Sequence, residues 1–70
     1  MGSDERDKLR ALLKYWVEHN REHSHEFKEW AEKASVLGEA EVAEEILQAA
    51  QEMDNASGLL SQSLKRLGEA

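Results

Sequence analysis

Along the first half of the chain, apolar residues recur in alternating steps of three and four. They run Leu9, Leu12, Leu13 and Trp16, then Phe27, Trp30, Ala31, Ala34 and Leu37. At ~100° per residue these positions share one side of a helix. His19, Asn20 and His23 fill the gap between Trp16 and Phe27. A heptad seam held for about four heptads therefore turns polar at its centre. Arg6, Arg10, Lys14, Glu18, Arg21, Glu22, Lys28, Glu29 and Lys33 fall mainly off the stripe. The spacing predicts one helix over 4–37, its apolar run about 30 residues or ~45 Å long. Ser3 or Asp4 can cap it, and Asp4, Glu5 and Asp7 suit the positive end of its dipole.

Gly38 fits the left-handed position just past a helix end. Glu39, Ala40 and Glu41 follow at once and suit a second first turn, so the connection is very short and the helices are antiparallel neighbours. A second seam reads Val42, Ile46, Ala49, Ala50, Met53, Ala56, Ser57, Leu60, Leu64 and Leu67, which predicts a helix over 39–67. Gly58 weakens it by roughly 1 kcal/mol. The spacing from Met53 to Leu60 is nevertheless kept, which favours a continuous helix over a turn and a third helix from Leu59. The whole is one domain over 4–68.

Folding back about Gly38 sets Trp30 level with Ile46, Phe27 with Ala49 and Ala50, and Trp16 with Leu60. Leu12 and Leu13 meet Leu64, His23 meets Met53, and His19 and Asn20 meet Ala56 and Ser57. The polar centre of the first helix thus opposes the most polar part of the second, which points to a site or a specificity layer. Leu47 and Leu59 on helix two, and Leu13 and Ala31 on helix one, flank the seam and need a further surface. The fold expected is an all-α antiparallel two-helix hairpin that dimerises into a four-helix bundle.

Composition narrows the function. Seventy residues make a marginal lone core. No cysteine is present, so there is neither a disulfide nor a thiolate metal site. Fifteen acids against nine bases give a net charge of -6, which argues against nucleic acid and anionic membranes. No apolar run approaches the ~20 residues of a bilayer span, and nothing at the start resembles a signal peptide, so the expected location is cytoplasmic. Ser24, Ser35, Ser57, Ser61 and Ser63 have no glycine-rich elbow or acid-base pair beside them, and no phosphate-cradling loop exists. A non-enzymatic role is expected.

The chemistry centres on the histidines. His19 and His23 stand at i and i+4, the spacing by which one helix offers two imidazoles to one ion. Glu26 continues the row and Glu22 lies beside it, so His19, His23, Glu22 and Glu26 are the candidate ligands for zinc, nickel, copper or iron. Two pairs in a twofold dimer could close a four-nitrogen site. The competing role is an oligomerisation or interaction module in which the histidines hydrogen-bond to Asn20, Ser57 or their symmetry mates. Asn20 then sets register. Glu22-x-x-His25 matches an i,i+3 ligand pattern of ferritin-like carboxylate bundles, but with Glu18 and Glu29 it forms a stripe facing away from the seam. Met53, Trp16 and Trp30 are expected in the core.

The run Tyr15-Trp16-Val17-Glu18-His19-Asn20-Arg21-Glu22-His23, with Glu26-Phe27, Trp30-Ala31, Ala34 and Gly38, resembles a small prokaryotic family of unknown function. Its members carry an H-W-x-E-H-N-x-x-H pattern in a glycine-centred two-helix layout, and the resemblance covers most of residues 9–67. Tyr15 stands where that family often has histidine, which removes one potential ligand. A weaker similarity, through Glu22 and His25 alone, is to encapsulated ferritins, whose two-helix hairpins assemble metal sites between subunits. It implies iron oxidation as a third reading.

Overall fold

The computed structural model describes residues 2–68, with side-chain surroundings from Asp4 onward. Two helices, α1 (Gly2–Val36) and α2 (Ala40–Arg66), pack antiparallel in a rod 55 × 16 × 14 Å. The all-α hairpin is as the periodicity predicts. α1 begins earlier than expected, so Asp4 sits within its first turn, next to the helix dipole, instead of capping it from outside. The Ser3 side chain, the other predicted cap, lies outside the described residues.

The turn is built by hydrogen bonding. Gly38 has φ +86, a conformation only glycine adopts without strain. The Gly38 N–H donates to the Ser35 carbonyl at 3.0 Å and the Glu39 N–H to the Ala34 carbonyl at 2.9 Å. These two bonds form a Schellman motif, which satisfies carbonyls that the end of α1 would otherwise leave bare. Ala43 N–H then donates to the Glu39 carbonyl at 2.9 Å and opens α2. At the far end Gly68 repeats the left-handed stop with φ +77. The Arg10 guanidinium bonds the Leu67 carbonyl at 3.0 Å, placing a cation at the negative end of α2. α2 runs unbroken through Gly58, so no third helix starts at Leu59.

The level pairing about Gly38 holds: Ser24 reaches Ala50 and Arg10 reaches Leu67. The rotation of the helices differs from expectation. The line of tightest contact runs through Val17, Ser24 and Ala31 of α1 and through Ala43, Ala50, Ser57 and Leu64 of α2. Leu13 and Ala34 join it. Each helix is turned by roughly 60° from the predicted stripe centre. The reason is size. Small residues every seventh position let two backbones approach closely, whereas tryptophans would hold them apart. Ala50 is wholly buried and Ser24 nearly so.

Several expectations are corrected in consequence. Leu13 and Ala31 are core residues, not flanks. Trp16 and Trp30, expected in the core, are 39% and 55% exposed. Leu9, Leu12 and Val42 are also exposed, and Ile46, Met53 and Leu60 are half-buried, while Leu47 and Leu59 are exposed as expected of flanking residues. The broad apolar stripe is real, but the hairpin covers only its small-residue edge and leaves its large residues on an open face. The opposite flank carries the exposed Leu47 among polar residues, with Lys28 paired to Asp54 at 3.1 Å.

Candidate functional site

The open face carries an aromatic row on α1: Tyr15, His19, His23 and Phe27, each four residues from the next. One helical turn separates successive members, so their rings meet. Tyr15 stacks on His19 at 5.3 Å between ring centres with planes 17° apart. His19 and His23 meet edge-on at 4.4 Å, and Phe27 closes the row 6.2 Å from His23. His19 is exposed and His23 half-buried, so the pair borders solvent and does not face Ala56 and Ser57 across the seam.

The two imidazoles point nitrogen to nitrogen. Nε2 of His19 and Nε2 of His23 are 3.0 Å apart. The other nitrogen of His23, Nδ1, lies 3.7 Å from Glu26 Oε1. That is ion-pair range but too long for a hydrogen bond. Whichever ring carries its proton on Nε2 donates, and the other, protonated on Nδ1, accepts. Two nitrogens each 2.0–2.1 Å from a tetrahedral zinc ion stand ~3.3 Å apart, close to the separation of this pair.

Glu26 therefore sits on the Nδ1 side of the His23 ring, away from the nitrogen pair. Glu22 is exposed on α1 away from the nitrogen pair. Among the described residues, no group of three or more His, Cys, Asp or Glu side chains is placed to hold a metal ion. Within one chain only these two nitrogens converge. His25 is exposed, 3.8 Å from Glu29, on the outer stripe with Glu18 and Glu22. Asn20 is half-buried at the seam edge.

Two residues were not singled out by the periodicity. Tyr15 is found by counting back four from His19. Ser24 is found by counting seven from Val17 and from Ala31. Its hydroxyl lies 3.4 Å from the Ala50 carbonyl, a long contact, and also serves the Asp54 carboxylate. The Ser24 hydroxyl first, and the Lys28 ammonium next, hold the Asp54 carboxyl below its ordinary range. The Ser57 hydroxyl is buried in the seam without a hydrogen-bond partner.

Among the described residues no helix is long and apolar enough to cross a membrane. Residues 9–67 match a family described as a domain of unknown function (DUF8180), and the chain belongs to that family. Neither a curated protein nor a solved structure matches the chain.

Proposed function

We propose that this member of a family of unknown function binds a divalent transition-metal ion, zinc, nickel or copper, through Nε2 of His19 and Nε2 of His23, without catalysing a reaction. The convergence of those two nitrogens to 3.0 Å on an accessible helix face carries the reading. Helical backbone fixes both rings, so little conformational freedom is lost on chelation. Glu26 acts from behind His23 as a positioning carboxylate, and Glu22 is not assigned a ligand role. Iron is the weaker candidate, because carboxylate oxygens are not gathered beside the pair.

Isothermal titration of the purified chain with zinc and with nickel tests this. The expected result is binding tighter than about 100 µM, ~5.5 kcal/mol, accompanied by a rise in melting temperature. His19→Ala and His23→Ala each abolish it, and His25→Ala leaves it in place. Binding weakens in acid, where protons compete for the same nitrogens. Tyr15→His adds a third imidazole one turn before His19 and tightens it. Absence of binding by the unaltered chain rejects the reading.

A second reading rests on a separate observation, the exposed apolar face holding Leu9, Leu12, Trp16 and Trp30. In it the chain is an oligomerisation module, and the histidine pair is a hydrogen-bonded layer that fixes which surfaces match. A chain that self-associates but takes up no metal supports this role.

A further inference from the structure

We infer that the open apolar face receives a second copy of this chain about a twofold axis that crosses α1 midway between His19 and His23. That axis brings two histidine pairs together as one four-imidazole metal site. The inference rests on the metal-binding reading for its ligand, and on the shape of the face for its partner.

The face repeats itself about one level. On α1, Leu12 and Trp30 are equidistant from the midpoint of His19 and His23, which is Arg21. An antiparallel α1 from a second copy therefore sets Leu12 against Trp30 and His19 against His23. On α2, a point between Asp54 and Asn55 relates Ala49 to Leu60 and Met53 to Ala56, large opposite small each time. The same point relates Val42 to Leu67. The two levels coincide in the fold. Ser24 reaches Ala50 and Arg10 reaches Leu67, which brackets Arg21 level with residues 53–56. Two helices thus give one axis independently, as an isologous interface requires.

Size agrees. A stable interface buries roughly 800 Å² per partner, and a face along a rod 55 Å long and 16 Å wide supplies it. The closed seam leaves Trp16 39% and Trp30 55% exposed within their own chain. The half-site is also incomplete alone. Two nitrogens leave a tetrahedral ion two ligands short, and the axis supplies the other two.

The chain has no cysteine, so single cysteines report the geometry directly. Ala56→Cys lies one to two residues from the axis, and its thiol meets the partner's copy of itself. Ala49→Cys lies about 16 Å from its own symmetry mate at 1.5 Å per residue. Under mild oxidation Ala56→Cys is expected to form a covalent dimer and Ala49→Cys is not. Native mass spectrometry of the unaltered chain with zinc should show two chains and one ion. His23→Ala should lose the ion. One ion bound per single chain overturns the shared site while leaving metal binding intact. Dimers that link equally well through Ala49→Cys overturn the axis. A dimer linked through Ala56→Cys that takes no zinc overturns the four-imidazole site together with the metal reading.

Discussion

Single side chains here are placed by how little room the seam leaves. Ala50 is wholly buried against Ser24, so Ala50→Leu forces extra methylenes between two backbones. A loss of about 1–3 kcal/mol is expected in urea unfolding, the ordinary cost of overpacking. Asp54 offers a test in acid. Its carboxyl is held below the ordinary range by Ser24 and Lys28, so the folded chain favours its ionised form. The stabilisation is present above the unfolded carboxyl value and is lost as pH falls from about 4 through the lower folded value. Thermal melts between pH 5 and 2 should show Asp54→Asn less stable than the unaltered chain at pH 5, with the difference shrinking toward pH 2. The carboxylate is exposed, so the gap is small. A constant gap across that range rules out the Ser24–Asp54–Lys28 cluster as its source.

At the scale of the helices, two glycines of the same residue type have opposite meanings. Gly38 has φ +86 with open space where a Cβ would sit, so Gly38→Ala is opposed by backbone conformation alone. It should cost about 1–2 kcal/mol. Gly58 is helical and equally open, and Gly58→Ala should add roughly 0.5–1 kcal/mol. Chemical denaturation of both variants checks the pair of signs. Much of this layer was legible in the sequence. Gly38 between two acidic-started heptad runs gave the hairpin, its turn and its level pairing. The rotation was not legible, because one stripe serves two purposes. Val17, Ser24 and Ala31 form its narrow small-residue edge, and Trp16, His19 and Trp30 its wide face. Hydrophobic periodicity adds both into a single arc, and large residues dominate the sum. The histidine pair was legible from its i,i+4 spacing. The place of Glu26 behind His23 was not, since it depends on which way an imidazole ring turns.

For the molecule as a whole, the open face separates two events that most small domains merge. Closing the hairpin needs only contacts within one chain, and small helical topologies of this kind fold in microseconds to milliseconds. Covering the face with a second copy, as proposed, would need an encounter between chains, and its rate would scale with concentration. Both tryptophans, Trp16 and Trp30, lie on the face, and neither lies in the seam. The two events therefore have separate optical reporters. On refolding, the far-ultraviolet helical signal should recover first at a rate independent of dilution. Tryptophan fluorescence should follow later and slow tenfold when the protein is diluted tenfold. Coincident recovery at every concentration would mean that no second copy reaches the tryptophans. In the proposed dimer the indole rings would keep time for assembly, while the backbone keeps time for folding.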